Sequence, residues 1–389
     1  MRRLLRARSV LGGVGLCATL LLGGAASDVL GLCGPFTDVS DAAFCPFVLE
    51  IFYLGITTGT TATTYDPTGN VTRLQMAAFL SRTVDRVLQR GSRRAALDQF
   101  WTTQNATVLG LTNVAATSLL KSDGADVWVT NFFGFSVSRV RGSDGKLLET
   151  WTGATLAFGV LVAMGRVLVT GVTTPGNLYR IDPSQAAGAV TTVGSNLGNQ
   201  PLGIAFDGAR VWTANNGSSV SIVTPGPAIP WTVTTVATGF SAPNGALYDG
   251  ASVWVTDANA GTLLKLDSAG AILQTVTVGS TPQIPVFDGT NIWVPNNSSN
   301  SVSVVRASNG AVLQTLIGNG LNGPAVAAFD GERVLVTNGG NNSVSLWKAA
   351  DLTTLGSFAT GSSTSPFGAC SDGVNFWITL AGSGKLARF

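Results

Sequence analysis

From residue 99 onwards, apolar and polar residues alternate in short runs that predict β-strands. Residues 202–238 contain four such runs, LGIAF, RVWTA, SVSIV and WTVTTVAT, with Asp, Gly, Asn or Pro between them. Asp-Gly, between the first two runs, suits a tight hairpin because Gly adopts positive φ and Asp tolerates the left-handed region. The pattern therefore predicts four consecutive antiparallel strands joined by short turns.

This four-strand pattern repeats along the chain. The glycine of its first turn recurs at nearly even spacing, as Gly124, Gly165, Gly208, Gly250, Gly289, Gly331 and Gly373. A period of about 40 residues built from short strands is typical of a β-propeller, whose blades are four-stranded antiparallel sheets. The sequence therefore predicts an all-β fold, a seven-bladed β-propeller over residues 99–389.

A large apolar residue follows each turn at the same distance from the glycine, except in the second repeat, where it lies one residue nearer. Blades pack face to face, so the second strand is covered on both sides and shows no strict polar alternation. Trp fills this position in five repeats and Leu in two: Trp128, Leu168, Trp212, Trp254, Trp293, Leu335 and Trp377. Each Trp offers roughly 150–250 Å² of surface to bury. One blade cannot cover both of its faces, so we expect each blade to need a neighbour on either side.

The repeats also predict how the ring closes. The seventh repeat reaches Phe389 after only three strands, FGACS, NFWIT and KLARF. We expect its fourth strand to come from Gln99–Gly110, ahead of the first inner strand. Joining both parts of the chain in one blade would remove the free sheet edges of the ring.

Residues 28–90 show helical periodicity instead. Apolar residues recur at helical spacing in a first helix that ends at Gly55 and in a second that follows Thr72. Thr72 and Gln75 have the spacing of a capping box. The apolar faces comprise Phe44, Phe47, Val48, Ile51 and Leu54 in the first helix, and Met76, Phe79, Leu80, Thr83, Val84 and Val87 in the second. Residues 91–98 are predicted to be a linker.

The start of the chain, residues 1–27, has the anatomy of a secretory signal peptide. A basic run is followed by an apolar stretch and by small residues at 25–27. The alternative is a retained membrane anchor, but the apolar stretch is short and broken by glycine. We expect cleavage and export to the cell surface, the envelope or periplasm, or the medium, with no transmembrane span in the mature chain.

Export makes the cysteines interpretable. Cys33 and Cys45 lie close together in the sequence, and in an oxidising compartment they are expected to form a local disulfide. Cys370 lies within an apolar strand pattern, where a buried free thiol is the ordinary interpretation.

Charge and composition exclude several function classes. The chain contains no histidine, which excludes a Ser-His-Asp triad, a histidine metal ligand and a histidine general base. Loss of the four leader arginines leaves 19 of the 23 basic residues against 21 acidic ones, a net charge of −2. That balance does not favour a nucleic-acid partner, and no cofactor is predicted.

Four motifs of the helical segment resemble an S-layer homology (SLH) module. They are FTDVSD from Phe36, LGITTGT from Leu54, YDPTGNVTR from Tyr65 and QMAAFLSR from Gln75. The resemblance implies non-covalent anchoring to acidic cell-wall polysaccharide, with Thr72 and Arg73 as the contacting residues. The segment departs from the family in having Gln75 where an acidic residue is usual, and in being one module where three commonly cooperate.

The phrases VWVTN, VWTANN and VLVTN in residues 99–389 resemble the YVTN-type propeller repeats of bacterial and archaeal surface proteins, which are related to NHL-like propellers. The resemblance implies the fold. Because such rings host many roles, it does not specify a function.

A candidate ligand site lies on one face of the predicted ring. The loops after each second strand carry amides and one acid, which could bind a sugar, a peptide or a hard cation, or could simply satisfy the turns. The candidate rim residues are Asn131, Asn215, Asn216, Asp257, Asn259, Asn296, Asn297 and Asn338.

We therefore expect an exported, non-catalytic binding platform, anchored through the SLH-like module and carrying an unknown protein or glycan ligand on the propeller. One alternative is a metal-dependent, lactonase-like hydrolase with its site in the channel. However, the two glutamates of the propeller region, Glu149 and Glu332, fall in an outer strand and in a turn. The other alternative is a purely structural surface protein.

Overall fold

The structure, a computed structural model, describes residues 33, 35–41, 44–53, 56–80, 83, 110–114 and 117–389. The chain divides into two compact units, Met1–Gln99 and Phe100–Phe389. The predicted signal peptide and the linker at 91–98 lie outside the described residues. Within the described residues, every helix is too short or too polar to cross a membrane.

The first unit contains helix α1 (Cys45–Tyr53) and a second helix that includes residues 73–80. Its core is aromatic: Phe36 is fully buried, with its ring centroid 5.1 Å from that of Phe52 and 5.6 Å from that of Tyr65. Cys33 and Cys45 form a disulfide beside this core, with Cα atoms 5.3 Å apart. The described part of the small unit is thus stabilised by a core around Phe36, which also includes Val39 and Val48, and by one disulfide.

The predicted apolar faces of these helices are only partly buried. Val48 is buried as expected, whereas Phe44 and Phe47 are each 64% exposed. In the second helix Met76 and Leu80 are 48% and 59% exposed. Helical periodicity predicted both helices of the described residues. It overestimated how much of each apolar face is buried. Leu54, Gly55, Val84 and Val87 lie outside the described residues.

The second unit is a seven-bladed propeller of four-stranded antiparallel sheets, as predicted. In blades 1 to 6 the strands run consecutively from the inner to the outer position. Blades 1 to 3 comprise β2 (Thr117–Ser122), β3 (Asp126–Asn131), β4 (Ser136–Arg141), β5 (Leu147–Thr152); β6 (Ala157–Ala163), β7 (Arg166–Gly171), β8 (Gly176–Ile181), β9 (Thr191–Leu197); β10 (Pro201–Phe206), β11 (Val211–Asn215), β12 (Ser219–Thr224), β13 (Thr232–Val236). Blades 4 to 6 comprise β14 (Pro243–Tyr248), β15 (Val253–Asp257), β16 (Thr262–Leu266), β17 (Ile272–Thr277); β18 (Val286–Phe287), β19 (Asn291–Asn296), β20 (Ser301–Arg306), β21 (Val312–Ile317); β22 (Pro324–Phe329), β23 (Arg333–Asn338), β24 (Ser343–Lys348), β25 (Thr354–Ala359).

Blade 7 closes the ring with strands from two parts of the chain. Its strands β26 (Pro366–Ser371), β27 (Phe376–Leu380) and β28 (Lys385–Arg388) are completed by β1 (Gly110–Asn113), which pairs antiparallel with β28. Closure by an N-terminal strand is therefore confirmed. The strand itself lies later than the predicted Gln99–Gly110: the two share only Gly110, and residues 99–109 lie outside the described residues.

The repeated Asp-Gly turn and the Trp that follows it form one hydrogen-bonded unit. In blade 4, Asp249 Oδ1 accepts the backbone N–H groups of Ala251 and Ser252 at 2.8 and 2.7 Å, while its Oδ2 accepts the indole N–H of Trp254 at 2.7 Å. The same pair occurs in blades 1, 3, 5 and 7. The seven turn glycines all have positive φ, as predicted. A buried indole needs an acceptor, and the turn aspartate supplies it.

A threonine near the end of the second strand joins each of five blades to the next. In blade 7, Thr379 Oγ1 accepts the N–H of Gly368 in its own inner strand at 2.7 Å and donates to the carbonyl of Ser118 in blade 1, also at 2.7 Å. Equivalent bridges are made by Thr130, Thr170, Thr256 and Thr337. Each threonine hydroxyl therefore accepts from a buried N–H of its own blade and donates to a carbonyl of the adjacent blade. We call these the bridging threonines.

The bridge between blades 7 and 1 can be tested with Thr379→Val, which keeps the volume but removes both hydrogen bonds. Stranding a buried donor and acceptor costs about 1–3 kcal/mol. We expect a loss of that order in the free energy of unfolding, measured by urea denaturation and tryptophan fluorescence. Thr315→Val, on the exposed face of β21, is the control. Equal stability of the two variants would contradict the role of the bridge.

The Asp–Trp pair can be tested with Asp249→Asn. Its carbonyl can still accept from the turn, but an amide N–H₂ then faces the indole N–H, so we expect a loss of about 1–3 kcal/mol. The control is Asp267→Asn, because Asp267 caps an exposed turn through Oδ1 alone. Combining Asp249→Asn with Trp254→Phe removes the opposing donor, and a double-mutant cycle should give a coupling energy distinct from zero. Additive effects would argue against the pair.

Candidate functional site

The first candidate site is the start of the second helix in the N-terminal unit. Thr72 Oγ1 accepts the N–H of Gln75 at 3.2 Å, and Gln75 Oε1 accepts the N–H of Thr72 at 2.8 Å, which confirms the capping box. Glutamine thus serves this cap where the SLH family usually has an acid. Arg73 is exposed at the first helical position, and the Thr72 hydroxyl keeps its own proton to donate.

A hydrogen-bond network fixes the loop that leads to this helix. The carboxylate of Asp38 accepts the N–H of Tyr65 at 2.8 Å and that of Asp66 at 2.7 Å. These two backbone hydrogen bonds lower the pKa of Asp38, because they stabilise its ionised form. Phe36 and Asp38, both from the FTDVSD motif, therefore hold Tyr65 by its ring and its backbone.

The second candidate site, the amide rim of the propeller, differs from the prediction. Five of its eight residues are fully buried, and each is the last residue of a second strand: Asn131, Asn215, Asp257, Asn296 and Asn338. Asn216 and Asn297 are half-buried, and Asn259 is exposed. The five buried side chains are held inside their hairpins rather than presented at an open rim.

The buried asparagines form a repeated internal contact. The Nδ2 group of Asn338 donates to the hydroxyls of Ser343 at 3.2 Å and Ser345 at 2.8 Å. Asn131, Asn215 and Asn296 make the same pair of bonds in blades 1, 3 and 5. The sequence signal for this contact is the Ser-Val-Ser that follows each of these asparagines, which indicates a side-chain partner within the hairpin.

Asp257 takes the corresponding position in blade 4. Its carboxylate accepts the N–H of Ser241 at 2.7 Å, that of Ala242 at 2.9 Å and that of Ala260 at 3.3 Å. The oxygens are thus directed at backbone donors of the preceding connection and of its own hairpin. Among the residues that the structure describes, no three His, Cys, Asp or Glu side chains cluster in a way that could hold a metal ion.

Residues that the sequence did not single out surround the channel mouth on this side. Each inner strand contributes one residue directly after the position paired with the end of its second strand. We call these seven residues the mouth ring: Ser118, Phe158, Leu202, Asn244, Gln283, Ala325 and Phe367. The rings of Phe158 and Phe367, from blades 2 and 7, have centroids 5.8 Å apart. Asn244 Nδ2 donates to Gln283 Oε1 at 3.1 Å.

The connections on the two faces of the propeller differ in charge, although buried Asp257 and half-buried Lys385 lie at strand ends that border the mouth-ring face. Between residues 117 and 389, thirteen connections lie on the mouth-ring face, and none contains Asp, Glu, Lys or Arg. They are 132–135, 153–156, 172–175, 198–200, 216–218, 237–242, 258–261, 278–285, 297–300, 318–323, 339–342, 360–365 and 381–384. The thirteen connections on the opposite face contain thirteen charged residues, eleven of them acidic. We call the first the neutral face and the second the charged face.

Comparison with known proteins covers both units. Residues 35–77 match the S-layer homology domain. The sequence matches none of the curated proteins. The solved structures it resembles include virginiamycin B lyase from Staphylococcus aureus, with a TM-score of 0.61, 17% identity, and coverage of 72% of this chain and 98% of the lyase.

Two further solved structures have the same architecture. Hydrazine synthase of Kuenenia stuttgartiensis has a TM-score of 0.60 at 17% identity, with 74% of this chain and 99% of that chain covered. The WD40 β-propeller domain of Doa1 has a TM-score of 0.58 at 13% identity, with 72% and 97% covered. Enzymes and a WD40 domain thus share the fold, so the likeness identifies a propeller and not an activity.

The buried carboxylate of Asp257 can be tested with Asp257→Asn. The amide retains one acceptor oxygen and loses the acceptor for Ser241, so we expect a loss of about 1–3 kcal/mol in unfolding free energy. Calcium should leave the melting temperatures of the unsubstituted protein and of Asp257→Asn unchanged, because the carboxylate oxygens of Asp257 already accept hydrogen bonds from backbone N–H groups. A calcium-dependent rise that Asp257→Asn abolishes would instead identify a metal site.

Proposed function

We propose that this protein is an exported envelope protein whose SLH segment anchors it to acidic cell-wall polysaccharide and whose propeller is a non-catalytic interaction platform. The match of residues 35–77 to the SLH domain carries the proposal, since a domain of that kind implies a cell-surface or envelope location. The interpretation of residues 1–27 as a signal peptide agrees with it.

The exposed start of the second helix supports the anchoring role. Arg73 extends from the first turn, where its guanidinium can donate to a carboxylate or phosphate of the polymer. Thr72 can donate beside it while its oxygen stays engaged in the cap. An anionic ligand is also favoured at a helix N-terminus by the partial positive charge of the unpaired N–H groups. One module gives one such contact, so several copies on one polymer would strengthen retention.

The neutral face supports an interaction role for the propeller. Scaffolds that face water on all sides need charged residues for solubility, and the charged face of this ring follows that expectation. Connections without charge, rich in Gly, Ser, Thr and Asn, can come into contact with another molecule with little desolvation of fixed charges.

The alternative to a non-catalytic platform is an enzyme, and it is supported by two structural neighbours that are enzymes. A variant of virginiamycin B lyase with a histidine replaced by alanine is described as catalytically inactive. This chain has no histidine at any position. A reaction that needs that histidine therefore does not transfer from the lyase to this chain. A metal-assisted hydrolase would need a cluster of metal ligands, and the described residues contain no cluster of three or more His, Cys, Asp or Glu side chains.

Anchoring is tested by the binding of the full-length protein to purified acidic wall polysaccharide. Arg73→Gln removes one charge-assisted contact, and we expect affinity to fall by about tenfold. The control is Arg306→Gln, which removes the same charge from an exposed strand end of the propeller. Equal retention of both variants and the parent would refute anchoring through this helix. A parent that binds neither polymer nor glycan would favour the purely structural alternative.

A further inference from the structure

The hairpin of blade 1 on the neutral face contains three phenylalanines, whereas the equivalent hairpins of the other six blades contain no aromatic residue. The blade 1 hairpin reads Phe132-Phe133-Gly134-Phe135, whereas blades 5 and 6 read Asn-Ser-Ser-Asn and Gly-Gly-Asn-Asn. Phe133 is 75% exposed and Phe135 is 46% exposed. Exposed aromatic rings on a protein surface mark an interaction site when they are contiguous.

These rings are contiguous with the mouth ring. The centroid of Phe132 lies 4.9 Å from that of Phe133 and 6.2 Å from that of Phe158, in both cases edge to face. Phe158 in turn contacts Phe367. We call these four residues, together with Phe135 of the same blade 1 hairpin, the aromatic strip: Phe132, Phe133, Phe135, Phe158 and Phe367. It runs from the tip of the blade 1 hairpin to the channel mouth.

Phe135 occupies a backbone position that disfavours it. Its φ is +48°, in the left-handed region. The equivalent hairpin positions with positive φ hold Ser218, Gly261, Asn300, Asn342 and Gly384. Gly and Asn adopt this region at little cost, whereas a bulky residue there is strained. Exposed Phe135 buries little surface in return for this strain. Met164 in a turn of the charged face is strained in the same way, so the strain supports a binding site here only together with the neighbouring aromatic rings.

The surroundings of the strip define the chemistry of its ligand. The connections of the neutral face contain no charged residue and are rich in Ser, Thr and Asn. A ligand that matches this surface has an apolar face for the rings, hydroxyl groups for these polar side chains and little or no charge. Sugar rings have that combination, with C–H groups on one face and hydroxyls at the edge.

We propose that the aromatic strip is a stacking subsite for uncharged pyranose rings. This inference rests on the proposed function, because it names the ligand class of the interaction platform. It assigns different polymers to the two units: acidic polysaccharide to the SLH segment and neutral glycan to the propeller. The connections of this face contain no cation within residues 117–389, and the one basic residue that borders them, half-buried Lys385, gives an anionic polymer a single cationic partner.

The test uses the full-length protein and neutral hexasaccharides of β-1,4-linked glucose, α-1,4-linked glucose and N-acetylglucosamine, with polygalacturonate as the anionic comparison. We expect calorimetry to detect binding of at least one neutral hexasaccharide, and we expect any binding of polygalacturonate, assigned to the SLH segment, to be unchanged in Phe133→Ser and Phe135→Asn. Phe135→Asn should weaken hexasaccharide binding by about tenfold, as truncation of an aromatic contact does, and should raise the melting temperature by relieving the left-handed strain. Phe133→Ser, at a position without positive φ, should weaken binding without the rise.

Met164→Asn is the matched control, because Met164 is also exposed, at 44%, with a φ of +55°, but in a turn of the charged face. It should raise the melting temperature equally and leave glycan binding unchanged. Failure of all three neutral probes, or unchanged binding in Phe133→Ser and Phe135→Asn, would overturn the proposal. The proposal would also be overturned if light scattering showed that the unsubstituted protein is a dimer and that Phe133→Ser or Phe135→Asn is a monomer, since a second copy would then cover the strip. Loss of hexasaccharide binding in Arg73→Gln would also overturn it, whereas loss of acidic-polymer binding alone in that variant leaves it standing.

Discussion

The propeller depends on hydrogen bonds that no blade can complete by itself. Each bridging threonine accepts a buried N–H from its own inner strand and donates to a carbonyl of the next blade. A sheet removed from the ring would therefore lose both its apolar cover and the partner of a buried polar group. Ala214 and Pro295 replace the threonine in blades 3 and 5. Other hydrogen bonds join these blades to the next: Ile284 of blade 5 pairs with the backbone of Ala325 and Ala327 in blade 6, and Arg210 of blade 3 donates to the carbonyl of Ser268 in blade 4.

Most of the fold followed from the sequence because its determinants are local. Turn glycines such as Gly208, the strand period and the Trp positions all report on backbone geometry within one repeat, and a fixed spacing then gives the number of blades. The position of β1 was harder to predict from the sequence, because its pairing with β28 depends on the register between two distant segments of the chain. The Asp–Trp pair was visible as a constant spacing within the chain, but its hydrogen bond became evident only with the side chains in place.

The candidate site was harder to predict for the same physical reason. An asparagine at the end of a strand can face solvent or turn inward, and the residue type does not decide between them. Asn338 turns inward because two serine hydroxyls of the next strand accept its amide hydrogens. Conversely, the neutrality of one face emerges only after every connection has been assigned to its side of the ring. The aromatic strip combines residues from blades 1, 2 and 7, which topology alone brings together.

Pairing of β1 with β28 also bears on how the protein is made. The N-terminal strand stays unpaired while the six intervening sheets are synthesised, and it finds its partner only when the segment after residue 384 emerges. Such long-range contacts form slowly. For a chain that is exported, as proposed above, that delay is useful, since translocation through a secretory channel requires a polypeptide that has not yet closed into its native ring.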